Sequence, residues 1–319
     1  MKKSLRAILP DAQSDLGPTT GCRPRGSSRR HARRQALLGA ALTLPAALLV
    51  GGIFIVPIIM SIWMSVSKWP LLGPHRLIGL TNYARLFTDA DVWRSFGFTA
   101  IFAAIITPLV LVIGLFLALL VQMRRPGVGV IRTAIFAPVV VGNAAASYLW
   151  LALADPGAGV LGRLLTDLGL TLAPPNWQLT TASATTLVAL ATLWKTIGFS
   201  MIVLMNGLNG VPDDIVEAAT MDGASWARTL WSVKLPLMKD SIAFVATFTL
   251  IGALLTFDQF YIITGGGPNS TTVSAVYAIY NTAFTQLNLG YGSTISIVFM
   301  VLILILTIVQ LRLFQARES

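Results

Sequence analysis

Six apolar runs divide this chain, at 36–65, 96–122, 131–153, 183–205, 240–263 and 292–313. Each comes near or above the roughly 20 residues a helix needs to cross the hydrocarbon core of a bilayer. Short polar, glycine- and proline-punctuated stretches separate them. The pattern predicts an all-α polytopic membrane protein with six transmembrane helices. The first run is far longer than the roughly 7–15 residues of a secretory signal core, so it reads as an uncleaved span. Ahead of it, residues 1–35 are polar and rich in Gly, Pro and Ser, which predicts a disordered basic tail. The expected organisation is a tail at 1–35, a six-span domain at 36–314 carrying a long loop at 207–239, and a short C-terminus at 315–319. No internal repeat is visible, which weighs against carriers built from repeated halves.

Composition fits this class. Of 319 residues, 55% are apolar and 11% charged, against roughly a quarter charged in a soluble domain. A net charge of +10 raises the question of nucleic acid, but a nucleic-acid binder gathers its basic residues on a folded face. Here they sort by side of the membrane. With the N-terminus in the cytoplasm, the inner segments hold nine Lys and Arg in the tail, then Arg124, Arg125, Arg132, Arg228, Lys234, Lys239, Arg312 and Arg317. The outer segments hold only Lys68, Arg76, Arg85, Arg94 and Arg163. Both termini are therefore expected inside.

Candidate chemistry is sparse. Cys22 is the single cysteine, so no intramolecular disulfide forms, and His31 and His75 lack ligand neighbours at metal spacing. No catalytic triad, carboxylate pair or phosphate loop is present, which excludes the common enzyme classes; TGGGPNSTT at 264–272 reads as a flexible turn. Pro57, Pro108, Pro138, Gly114 and Gly142 lie in the spans and fit either ordinary kinks or a moving, cavity-lining bundle. Trp69, Tyr83, Phe87 and Trp93 in the first outer loop fit either an interfacial belt or a partner surface.

Two ionisable residues fall within spans, Lys195 in LWKTIGFSM and Asp258 in TFDQFYI. At about 2.5–3.5 kcal/mol near the bilayer centre, such residues need a reason. Lys195 either lines a cavity or pairs structurally, with Asp258 as a partner, unless it snorkels to the interface. Trp194, Lys195, Thr196, Gly198 and Phe199 combine rings with hydrogen-bond donors, a mixture that suits a polyhydroxylated ligand.

The loop between the fourth and fifth runs is helical in composition but not membranous. Pro212 suits a first helical turn, Asp213, Asp214 and Glu217 complement the helix dipole, and Asp222-Gly223 bends the chain. Ser225 caps a second piece that runs past Trp226 and Trp231, and Pro236 ends it. Its small alanine ridge and exposed carboxylates favour a protein groove over anionic lipid.

Glu217-Ala218-Ala219, Gly223 and Val233-x-Leu235-Pro236 resemble the E-A-A-x-x-x-G-x9-I-x-L-P loop of ATP-binding-cassette (ABC) importer permeases, with Val233 in place of isoleucine. IGLTNYARLF, RTAIFAPVVV and FDQFYIITGGGPNSTT are similar to the carbohydrate-uptake branch of maltose- and glycerol-phosphate-type permeases. The resemblance implies a type I ABC importer permease fold in the plasma (inner) membrane, carrying a sugar or sugar derivative. It implies that Glu217, Ala218, Ala219, Asp222, Gly223, Leu235 and Pro236 form the coupling helix and its support. It also places Trp194, Lys195, Thr196 and Phe199, and more loosely Thr256, Asp258 and Gln259, at a substrate wall. The implied partners are a second permease subunit, two ATP-binding subunits and an extracytoplasmic binding protein, alongside lipid and no nucleic acid. This chain would bind no cofactor, ATP and magnesium residing on the partner ATPase. The rival expectation is an ion-coupled secondary carrier using Lys195 and Asp258; a membrane scaffold without cargo is a third.

Overall fold

A computed structural model describes residues 28–70, 73–122, 126–171 and 175–315. The arginine-rich tail up to residue 27, the loop arginines Arg124 and Arg125, and residues 316–319 lie outside the described residues. The chain forms two units, residues 1–58 and 59–319. In the first, helix α1 (Ser28–Val50) passes into a π-helical turn at Gly51–Ile55, and α2 (Val56–Ser65) follows. Helix therefore begins at Ser28, inside the stretch expected to be a tail.

In the second unit a small antiparallel ribbon, β1 (Ser67–Lys68) with β2 (Arg76–Leu77), leads to α3 (Thr81–Thr88) and α4 (Ala90–Val121). The Asp89 carboxylate caps α4 by accepting from the amides of Asp91 and Val92. Then come α5 (Val128–Phe136), a 3₁₀ turn at Ala137–Val140, α6 (Asn143–Leu153) and α7 (Val160–Asp167). Helix α8 (Thr181–Asn209) starts at a Thr180–Ser183 capping box. The loop holds α9 (Asp213–Met221), α10 (Trp226–Thr229), a π turn at Leu230–Lys234 and α11 (Leu235–Leu237). The chain finishes with α12 (Lys239–Leu254), a π turn at Phe260–Thr264, α13 (Ala275–Tyr280), a π turn at Asn281–Thr285 and α14 (Leu289–Gln315).

Among the described residues, four helical segments are long and apolar enough to cross a membrane singly: Ala41–Ser65, Ala90–Val121, Thr181–Asn209 and Leu289–Phe314. The number rises to six if each of two bent pairs is one span: Val128–Val140 with Asn143–Leu153 at 104°, and Trp226–Leu237 with Lys239–Leu254 at 72°. The third expected span is thus broken within its length, whereas the 72° bend falls at Met238, just ahead of the fifth, whose own helix stops at Leu254. Pro138 removes an amide where α5 gives way, whereas Pro108 is accommodated within an unbroken α4.

Two buried clusters hold the bundle. One packs Phe102, Ile106 and Val110 of α4 against Leu187, Val188 and Ala191 of α8, Leu254 of α12 and Ile295 of α14. The other lies toward the 207–239 loop and joins Ala118 and Val121 to Met201, Leu204 and Leu208, with Leu230 and Met238 from the loop itself. The loop is therefore built on the core, its Leu230 and Met238 packed among helix residues.

Candidate functional site

A cavity of about 530 Å³ opens between α4, the broken third span, α8 and α12. Helix α8 contributes Thr192, Lys195, Thr196 and Phe199, spaced i, i+3, i+4 and i+7 and so on one helical face. Helix α12 and the irregular residues after it contribute Phe248, Thr249, Thr256, Phe257, Asp258 and Gln259, while Val139 and Asn143 come from the break in the third span. Of the expected substrate residues, Lys195, Thr196, Phe199, Thr256, Asp258 and Gln259 meet in this wall. Trp194 does not line it. One residue from Lys195 around the helix, Trp194 packs edge-on against Trp150 of α6, ring centroids 6.1 Å apart.

The wall mixes hydroxyls, amides and ring faces. Phe199 and Phe248 lie 4.6 Å apart by ring centroid. Thr192 and Thr196 spend their hydroxyl protons on carbonyls one turn back, which leaves lone pairs free. Thr249 differs: the residue lines the cavity, but its hydroxyl oxygen is buried and has no partner among the described residues. Buried hydroxyls without partners are uncommon, and a rotation about χ1 is what would bring this one to a ligand. Thr249, Asn143 and Thr192 are additions to the expected set. Helical spacing would have found two of them, since Thr249 stands seven residues before Thr256, and Thr192 three before Lys195.

Irregular backbone at membrane depth survives only where protein or a wet cavity satisfies it. The irregular backbone beside this cavity, in the third span at 141–142 and after Leu254 in the fifth, meets that condition. In the fifth span the Thr256 carbonyl accepts from the Ser274 hydroxyl at 2.9 Å, and the Gln178 amide donates to the Ile263 carbonyl at 2.8 Å. In the third, the Lys195 ammonium donates to the carbonyls of Val141 and Val139. Lys195 thus neither snorkels nor pairs with Asp258; it is engaged by backbone. Farther along, Thr264 and Thr272 join their hydroxyls at 2.8 Å and tie the glycine-rich turn together.

At the opposite end of α8 the loop forms two helices around a sharp bend. Asp213 and Asp214 occupy the first turn of α9, with Pro212 at its N-cap, one position before the first turn where the sequence placed it. Gly223 lies at φ +79°, its amide donating to the Thr220 carbonyl while the Ala224 amide donates to that of Ala219, both at 3.0 Å. This is a Schellman C-cap, and its left-handed position is the reason for glycine. The Ser225 hydroxyl accepts from the Arg228 amide and starts α10. Pro236 does not end the second piece, which runs to Leu237. A π turn ahead of it, with the Leu235 amide donating to the Leu230 carbonyl, absorbs the missing proline donor. Glu217, Ala218, Asp222, Gly223 and Pro236 are exposed, Ala219 and Leu235 half-buried. Met221, Trp226 and Trp231 also stand out from the loop, 88%, 69% and 69% exposed, too much apolar surface for a water-facing loop without a partner.

Residues 111–318 match the family described as binding-protein-dependent transport system inner membrane component. The chain is 34% identical over 290 residues to the trehalose/maltose transport system permease protein MalF of Thermococcus litoralis, covering 90% of this chain and 96% of that one. It is 33% identical over 294 residues to the trehalose transport system permease protein SugA of Mycobacterium tuberculosis, 92% of each. With the sn-glycerol-3-phosphate transport system permease protein UgpA of Yersinia pestis it shares 32% over 280 residues, 86% of this chain and 93% of the other. A solved bacterial ABC transporter involved in the import of the acidic polysaccharide alginate has the same fold, at a TM-score of 0.78 and 18% identity over 92% of this chain and 99% of its own. With a loop built on a broken-helix bundle and a cavity at its centre, this chain belongs to the inner membrane components of binding-protein-dependent transport systems, and is an ABC importer permease, a transport subunit rather than an enzyme.

Proposed function

We propose that this chain forms one half of a heterodimeric pathway that imports a sugar or sugar derivative, with the cavity of α8 and α12 as the cargo site. The observation that carries this reading is the wall itself: donors and acceptors on Thr196, Thr249, Thr256, Asp258 and Gln259 set among the rings of Phe199, Phe248 and Phe257. Hydroxyl-rich ligands take hydrogen bonds from such groups while their C–H faces stack on aromatic rings. Lys195 shares the wall, and Trp194 backs it through Trp150. The names of the relatives, trehalose, maltose and glycerol-phosphate permeases, support a cargo of this class.

Energy enters at the other end. Both termini and the 207–239 loop face the cytoplasm, where two separate ATPase subunits bind ATP and magnesium. The exposed knob of Glu217, Ala218 and Asp222, braced by Ala219 and Leu235, seats in a cleft of one ATPase. An extracytoplasmic binding protein delivers cargo to the outer loops, consistent with a related alginate transporter solved together with a pentasaccharide-bound periplasmic protein. An ion-coupled carrier would need Lys195 and Asp258 as a working pair, and the Lys195 ammonium is committed to backbone carbonyls.

The test begins with identification of the ligand that copurifies with the cognate binding protein. Proteoliposomes holding this chain, the second permease and both ATPases should then accumulate that ligand only with binding protein outside and ATP inside. Uptake by this chain alone on an ion gradient would overturn the reading.

A further inference from the structure

The third span turns through 104° within a few residues, at a point where Pro138 offers no amide and Val141 is extended, at φ −74° and ψ 131°. Carbonyls released at such a break need donors that the chain's own helix no longer supplies. Lys195 provides them. Its ammonium carries three donors and no acceptor, and it reaches the carbonyls of Val141 and, at 3.4 Å, Val139. A cation beside the carbonyl end of a helical segment also complements its dipole. One turn farther along α8, Gly198 lies directly against the preceding helix. A Cβ there would meet the Ile135 carbonyl and stand 2.8 Å from the Phe136 Cα. Two contacts three residues apart therefore hold the last turn before the break and the break itself. Val139 and Asn143, which flank that break, are both in the cavity wall.

We propose that Lys195 is a positioning residue: with Gly198 it pins the broken third span to α8 and acts on transport by setting where Val139 and Asn143 stand, not by holding cargo. The assignment rests on the cavity being the cargo site. It accounts for a lysine in a wall otherwise made of uncharged donors and a single carboxylate, and for the close-approach glycine one turn away.

The test uses the full complex in proteoliposomes, with two readouts. The first, in a Cys22→Ser background carrying Asn143→Cys, is the rate at which a small water-soluble maleimide labels the thiol at position 143, which needs no cargo. The second, in the chain with Cys22 and Asn143 intact, is uptake of trehalose, maltose and sn-glycerol 3-phosphate as probes, read as KM and maximal rate. Lys195→Met should change labelling by about fivefold or more as the break loses its pin. It should lower the maximal rate by about tenfold while KM moves less than about threefold. Lys195→Arg keeps donors for the carbonyls and should restore labelling to within about twofold. Gly198→Ala, with Lys195 intact, should reproduce the rate loss. A KM raised about tenfold with the rate kept would make Lys195 a cargo ligand and overturn the assignment. Unchanged labelling in Lys195→Met would overturn it as well. Should Lys195→Met fail to assemble, Lys195→Arg decides: assembly with near-native labelling supports the pin, and failure despite retained donors contradicts it. If the unsubstituted complex takes up none of the three probes, those three are excluded as cargo while the labelling rates still decide the role of Lys195.

Discussion

Among single residues, Thr249 carries the clearest prediction. Thr249 belongs to the cavity wall and its hydroxyl is buried without a partner among the described residues, so removing it breaks no hydrogen bond described in the chain, while a cargo toward which the side chain turns loses one. Thr249→Val should leave the melting temperature of the purified complex equal or slightly raised, because an unsatisfied buried polar atom is gone. KM for the transported ligand should rise about three- to tenfold with little loss of maximal rate. An unchanged KM would remove Thr249 from the site. Thr256 and Gln259, which are buried, and Asp258, half-buried, are reached from the same side, and Gln259→Leu should act in the same direction. Much of this wall was legible in the sequence through the rings and donors at 194–199 and the family resemblance, while Thr192, on the same helical face as Lys195, Thr196 and Phe199, and Thr249 stood outside both. Trp194 shows the limit of reasoning by adjacency. A residue one step along a helix turns by about 100°, enough to move it from the wall into the packing behind it.

At the scale of elements, the chain works through interrupted helices. The loop bend depends on Gly223 at φ +79°, where no neighbouring atom would obstruct a Cβ. Gly223→Ala should therefore cost only the conformational penalty, about 1 kcal/mol, visible as a small drop in the melting temperature of the complex. Gly223→Pro should be far more damaging, since proline cannot adopt that φ and loses the amide bonded to the Thr220 carbonyl. Insertion of the spans should survive while copurification of the ATPase falls; full copurification with full transport would place coupling elsewhere. The loop's two helices and their caps were readable because Asp213, Asp214, Gly223 and Ser225 are local signals. The breaks were not. Pro138 and Gly142 marked a place where helix is weak, but the 104° turn brings in a contact from Lys195, more than fifty residues away, that local signals do not reveal. Pro236 misled for the same reason, because a π turn upstream accommodates it.

For the whole molecule, the design is a bundle whose two working ends have separate buried clusters, with α8 running through both. The cluster near the loop joins Met201, Leu204 and Leu208 of α8 to Leu230 and Met238 of the loop, and the cargo wall occupies the same helix from Thr192 to Phe199. Close-packed interiors shift between discrete arrangements instead of deforming continuously. On the proposed function, movement imposed on the knob by ATPase closure would be carried along α8 to the cavity. The apolar run lengths carried the all-α membrane architecture, and the distribution of Lys and Arg carries the proposal that the loop faces inward. The packing that links loop and cavity was not legible, since it depends on which faces of α4, α8 and α12 meet. The most direct test of this linkage is ATP hydrolysis by the reconstituted complex, with and without ligand-loaded binding protein outside. The native chain should respond with a rise of about tenfold or more, and Gly223→Pro should hydrolyse ATP at the same rate in both conditions. Equal stimulation in the two proteins would contradict energy transfer through residues 217–236.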